Sequence, residues 1–253
     1  MNQNGYQGQI VWIIGASSGI GLALAHALAA RGATLALSAR RKDELDALQA
    51  QLTGAHKVFC LDVTDAEQVN RTASAIRAAF GHIDRVVFLA AAYAPMQLTA
   101  LDQAAVEQII RINLVGAFNV IHAITQIFLT QTSKGQLALC GSVAGYIGLP
   151  GGQPYSATKA GVISLAESLY AECGNSFDVK LISPGFVRTP LTDKNAFKMP
   201  MIVEPDVAAA AIADGLLTRR FEIHFPRKFT LLLKLLRLLP YRLSLRLTRN
   251  ITT

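Results

Sequence analysis

The chain has 253 residues, 51% of them hydrophobic and 16% charged, which is enough apolar material for one well-buried domain. Its net charge of +7 is concentrated at the end: from Arg219 onward there are nine Lys/Arg and one acid, Glu222, against fifteen Lys/Arg and sixteen acids before it. A nearly neutral body with a basic, leucine-rich tail excludes a nucleic-acid-binding field spread over the domain.

The apolar pattern alternates between two kinds of segment. Short runs read as strands: "QIVWIIG", "TLALSAR", "HKVFCLDV", "DRVVFLAAA", "GQLALCGS", "DVKLISPG" and "FEIHF". Between them, residues 20–30, 42–52, 66–80, 106–129, 156–173 and 207–217 carry the 3.6-residue period of helices. Strands apolar on both faces need helices above and below them, as in a parallel sheet. With right-handed crossovers, the expected fold is α/β: a single doubly wound Rossmann-type domain with a sheet of about seven parallel strands. Residues 1–228 form that domain, and 229–253 form a tail that is not an independent unit. Cys60, Cys140 and Cys173 have no metal or CxxC spacing and are expected to be small buried hydrophobes in a reducing compartment. The first 19 residues lack the basic region and long apolar run of a signal peptide, so a cytoplasmic protein is expected.

The turn after the first strand, "IIGASSGIG", places Gly15, Gly19 and Gly21 in GxxxGxG spacing. Residues without Cβ atoms let the backbone approach a pyrophosphate, and the free N–H groups of the following helix face the anion. Ser17 and Ser18 add hydroxyl donors. The second strand ends without the acid that would hold a ribose diol. "LSARRK" supplies Arg40, Arg41 and Lys42 instead, and a guanidinium fork suits a 2′-phosphate. NADP(H) is therefore favoured over NAD(H), with Arg40 the leading contact and Arg41 beside it.

Ser142 ends the fifth strand, at the sheet edge where ligands bind in open α/β folds. Thirteen residues on, Tyr155 and Lys159 stand at i and i+4 and share one helical face. A free phenol, with a pKa near 10, is a poor proton carrier at neutral pH. A nearby ammonium is expected to lower that value toward working pH. Tyr155 then exchanges a proton with a substrate oxygen, which Ser142 holds by a hydrogen bond.

Over residues 9–190 the chain resembles the short-chain dehydrogenase/reductase family. "GASSGIG" matches the family's cofactor loop and brings in Ile20 with its flanking glycines. "LDV" puts Asp62 and Val63 where the family contacts adenine, and Ala90 keeps the small residue at the adenosine side. "NLVG" puts Asn113 at the family's fourth catalytic position, which supports a water-mediated proton relay. "GSVAGYIGLPGGQPYSATK" matches the serine-to-YxxxK block. "SPGFVRTP" matches the nicotinamide clamp, implying Pro184, Gly185, Val187 and Thr189. Two departures stand out: Ile14 precedes the first glycine where the family often has Thr, and Leu89 and Ala91 replace residues of its NNAG segment. The resemblance also implies a homodimer or homotetramer built on the long helices after strands four and five.

The resemblance makes 188–205 a substrate lid. Leu191, Phe197, Met199 and Met201 make it apolar, and Tyr93, Met96, Leu98, Tyr146, Ile147 and Leu149 would add apolar walls. A hydrophobic carbonyl or alcohol is the expected substrate; packing of these side chains on the body is the alternative. In the tail, Thr230, Lys234, Arg237 and Tyr241 form one polar stripe, with leucines elsewhere. A basic amphipathic helix on an anionic membrane surface and a helix packed on protein both fit that pattern. After Pro240 the alternation of leucines with polar residues fits a strand. The leading function is an NADP(H)-dependent oxidoreductase. Its rivals are a catalytically idle NADP(H)-binding sensor or scaffold and an epimerase or dehydratase sharing YxxxK.

Overall fold

Each strand of the sheet splits its side chains between two apolar layers. In β1 (Ile10–Ile14), Val11 and Ile13 enter one layer while Trp12 and Ile14 enter the other. The computed structural model describes residues 5–148, 150–195, 197 and 199–249. The remaining strands are β2 (Thr34–Ser38), β3 (Lys57–Val58), β4 (Arg85–Phe88), β5 (Gln136–Cys140), β6 (Asp178–Pro184) and β7 (Glu222–Phe225). All seven pair in parallel in the order β3-β2-β1-β4-β5-β6-β7. Chain order reverses between β1 and β4, which opens a crevice at the carboxyl ends of the strands there.

Helices α1 (Gly19–Ala29), α2 (Lys42–Gln51) and α7 (Pro205–Leu216) cover one face of the sheet. Helix α3 (Ala66–Phe80), the run α4 (Gln103–Ile110) to α5 (Gly116–Thr130), and α6 (Tyr155–Cys173) cover the other. Side-chain caps set two of the starts: the Asp65 carboxylate accepts from the Gln68 N–H, and Asp102 accepts from Ala104 and Ala105. The expected helix 106–129 therefore begins at Gln103. It is interrupted by a π turn, Arg111–Val115, a distortion that occurs mostly at functional sites. By length and composition Gln103–Thr130 could cross a membrane, but half of its most apolar window is buried here as a core helix.

Three other expectations need correction. The third strand pairs over two residues only, although backbone bonds from Phe59 to Leu37 and from Leu61 to Ala39 carry the chain on alongside β2. Cys60 is exposed and donates to the Arg40 carbonyl, Cys140 is buried, and Cys173 is half-buried. The segment after Pro240 is helical. Helix α8 (Arg227–Leu238) is followed by α9 (Tyr241–Arg249), whose backbone begins with bonds from Leu243 and Ser244 back to Pro240.

Candidate active site

The crevice is a cleft of about 290 Å³. Its floor is the glycine turn between β1 and α1. Gly15 has φ +97°, and a Cβ on it would lie 2.7 Å from the Ala90 nitrogen. One on Gly21 would lie 2.1 Å from the Gly15 carbonyl oxygen. Neither position admits a side chain, so the turn stays tight and bare. Ser18 precedes α1 and makes no side-chain cap hydrogen bond, and the residues of the first turn of α1, Gly19, Ile20 and Gly21, border the cleft. Ser17 accepts a bond of 3.1 Å from Arg41.

The basic turn after β2 divides into committed and free cations. Arg41 pairs with Glu44 at 2.6 Å, and Lys42 pairs with Asp46. Arg40 is exposed at the cleft wall and makes no ion pair among the described residues. Beyond it lie Asp62 and Val63. The Asp62 carboxylate is held by the Thr64 N–H and hydroxyl at 2.9 and 2.8 Å, and Val63 packs where Gly116 leaves room. At the two departures from the family pattern, Ile14 lies in the floor of the cleft, and Leu89, Ala90 and Ala91 border it. The Leu89 N–H still bonds to Ile14, so the strand edge stays paired without an amide side chain.

At the other end, Ser142, Tyr155 and Lys159 meet. Ser142 follows β5, and its oxygen accepts from the Ala144 N–H at 3.1 Å, which aims it. Tyr155 opens α6, and the Lys159 ammonium lies 5.5 Å from its ring centre. Lys159 is 1% exposed, and its ammonium donates to the Cys140 carbonyl at 2.7 Å. That is its only hydrogen bond among the described residues, so a buried cation has donors to spare toward the cleft. Asn113 sits in the π turn, below the cleft, fully buried. Its oxygen accepts from the Ala92 N–H, and its amide donates to the Ala92 carbonyl and to Thr158 of α6.

The electrostatics correct one expectation. Burial pushes the Tyr155 phenol upward, the neighbouring Cys140 adds to this, and the Ser142 hydroxyl only partly counters it. Burial depresses the Lys159 pKa as well, and its ammonium is hydrogen-bonded to the Cys140 carbonyl. Tyr155 is thus held in its neutral form at ordinary pH.

Pro184, Gly185, Val187 and Thr189 close the cleft after β6. Backbone bonds between Arg188 and Val203 and between Val203 and Phe186 tie the two ends of the lid together. Thr192 donates to the Val187 carbonyl at 2.6 Å. A latch that sequence patterns miss holds the lid to the loop after β4: the Tyr93 hydroxyl donates to Asn195 at 2.6 Å, and Lys194 donates to the Tyr93 carbonyl at 2.8 Å. The Tyr93 ring lies edge-on to Tyr155, 5.0 Å between centres. These contacts link residues about a hundred positions apart, beyond the reach of any local motif. Several expected apolar walls lie elsewhere. Tyr146 is buried and donates to Glu222, Phe197 packs on Phe186, Leu98 and Met201 are exposed, and Leu149 lies outside the described residues.

Comparison with known proteins gives the family and supports the fold. A family model described as short chain dehydrogenase matches residues 9–199. An uncharacterized oxidoreductase of Mycobacterium tuberculosis is 37% identical over 212 residues, covering 81% of this chain and 83% of its own. The 3-oxoacyl-[acyl-carrier-protein] reductase of Thermotoga maritima is 32% identical over 192 residues, covering 74% and 78%. A short chain dehydrogenase/reductase from Burkholderia phymatum, solved in complex with NAD, superposes with a TM-score of 0.83 over 98% of both chains at 23% identity.

Proposed function

Because this chain belongs to the short-chain dehydrogenase family, and is therefore an oxidoreductase, we propose that it interconverts a hydrophobic carbonyl and its alcohol with NADP(H). The observation that carries the proposal is the meeting of Ser142, Tyr155 and Lys159 at one end of a cleft whose other end is a bare glycine turn beside Arg40, which makes no ion pair among the described residues. A dinucleotide fits these residues. Side-chain-free Gly15 and Gly21 leave room for a pyrophosphate, Arg40 suits a 2′-phosphate, and the spare donors of Lys159 suit ribose hydroxyls. Asp62, Val63 and Ala90 would border adenine and its ribose, and Pro184, Gly185, Val187 and Thr189 the nicotinamide end.

A bound nicotinamide dinucleotide supplies the hydride in reduction and accepts it in oxidation. Ser142 orients the substrate oxygen, and Tyr155 gives that oxygen its proton as negative charge develops there. A phenol held protonated by burial is the form that reduction requires. Asn113 fixes the π turn against α6 and so sets the line along which Lys159 and solvent would return the proton. Tyr93 and Leu191 supply the apolar border near Tyr155. Exposed Val115 and Phe118 in the α4–α5 run and Tyr170 on α6 support a homodimer or homotetramer built on those helices.

The test is NADPH consumption across a panel of ketones of increasing chain length, with NADH as the comparison. Turnover that rises with chain length and prefers NADPH supports the proposal. A preference for small polar ketones would remove the hydrophobic substrate, and tight NADPH binding without turnover would favour a sensor.

A further inference from the structure

The tail helices leave most of their leucines facing outward. On α8 the side facing the protein mixes polar and apolar groups: Thr230 is fully buried and hydrogen-bonded to His224 at 2.6 Å, Lys234 is ion-paired to Glu222, and Leu233 is buried with Leu236 packed on the core. Phe229 stacks 5.7 Å from Phe186. These contacts fix the rotation of the helix and leave Leu231, Leu232, Leu235 and Leu238 facing outward, the last of them 81% exposed. On α9, Ser244 and Thr248 are buried, while Leu243, Leu245 and Leu247 stay about half exposed. Exposed leucines interleaved with exposed cations on two consecutive helices make a surface suited to a partner that is both apolar and anionic.

Charge decides which partner. Residues 227–253 carry seven Lys/Arg and no acid. Lys234 is neutralised by Glu222, but Arg227, Lys228, Arg237, Arg242, Arg246 and Arg249 make no ion pair among the described residues. A second copy laid on this face by two-fold symmetry would set one acid-free array of cations against another, and like charges across an interface are strongly disfavoured. An anionic lipid surface satisfies both features at once. The leucines enter the acyl boundary, and each cation near the headgroups adds about 1 kcal/mol. A span is excluded by length: α8 has 12 residues, about 18 Å of helix against a hydrocarbon core of about 30 Å, and Pro240 follows it.

We propose that α8 and α9 are a foot that docks this enzyme flat on an anionic bilayer, leucines down and arginines at the headgroups. The base of the foot adjoins the lid, since Phe186 touches both Phe229 of α8 and Phe197. Docking therefore sets the substrate entrance beside the lipid. That last consequence rests on the proposed hydrophobic substrate; the docking itself does not.

The test is co-sedimentation of the full chain with phosphatidylcholine vesicles, with and without about one-third phosphatidylglycerol, at ~0.1 M and ~0.5 M salt. Binding should be at least about tenfold stronger to the anionic vesicles and should fall sharply at high salt. The triple variant Leu231→Ser, Leu235→Ser, Leu238→Ser should lose at least about tenfold in binding. So should the triple variant Arg242→Glu, Arg246→Glu, Arg249→Glu. Both should keep wild-type turnover of a water-soluble carbonyl, so that loss of docking is read separately from loss of the oxidoreductase function. A wild-type protein that ignores anionic vesicles overturns the proposal. So does a leucine variant that halves the molecular mass in light scattering while vesicle binding is unchanged, because the face would then join two copies.

Discussion

Tyr155 shows how far residue types reach and where burial takes over. The spacing of Tyr155 and Lys159 and their place after Ser142 are legible in the chain, because each follows from a helix period and a strand end. The direction of the phenol's pKa was not legible. It depends on how dry the cleft end is and on the Cys140 and Tyr93 side chains beside the phenol, and neither has a local signature. A phenol held above its usual value stays protonated from acid through moderately alkaline pH. NADPH-driven reduction should thus be nearly flat between about pH 6 and 9, while alcohol oxidation, which needs the phenolate, should climb with pH. Initial rates in both directions across that range check this, and a reduction rate that collapses near neutrality would contradict it. Arg40 yields a second expectation. Arg40→Ala should weaken NADPH binding by about tenfold, near 1.4 kcal/mol, and leave NADH binding almost unchanged, as read by nicotinamide fluorescence titration. Equal losses for both dinucleotides would make Arg40 a general contact rather than a phosphate reader.

The strands and most helices follow from apolar periodicity, and the structure differs where long-range contacts override it. The π turn in the α4–α5 run is such a case: three bonds from buried Asn113 to Ala92 and Thr158 hold it, and none of the three is local. Asn113→Ala leaves buried backbone and hydroxyl groups unpaired and should destabilise the fold by about 2–3 kcal/mol, seen as a lower denaturant midpoint. Helix α8 offers a pH-dependent counterpart. Burial alone would raise the Glu222 carboxyl, but Lys234 and Tyr146 outweigh it and hold the carboxyl below its usual range. A depressed folded value means the stabilisation is complete above the unfolded pKa of 4.5 and is lost as pH falls through the lower folded value. Amide exchange across α8 should therefore accelerate selectively below about pH 4, and Glu222→Gln should remove that pH step. The tail was misread after Pro240 because alternating leucines suit a strand, whereas the backbone turns helical and hides Ser244 and Thr248 instead.

Across the molecule, charge and chemistry are segregated. A nearly neutral α/β body carries the cleft, and the cationic leucine surface is confined to the last two helices. The body's order of strands, β3-β2-β1-β4-β5-β6-β7, brings the glycine turn, Ser142 and the β6 exit to one sheet edge although they are spread over more than 160 positions. The proposed chemistry converges on the proton that Tyr155 would give to a substrate oxygen. Single-turnover oxidation of bound NADPH by a long-chain ketone, wild type against Tyr155→Phe, tests this most directly. The expected result is a loss of about 10²–10⁴-fold in rate for the variant, with NADPH affinity within about twofold of wild type. A Tyr155→Phe protein that still oxidises NADPH at the wild-type rate would contradict it.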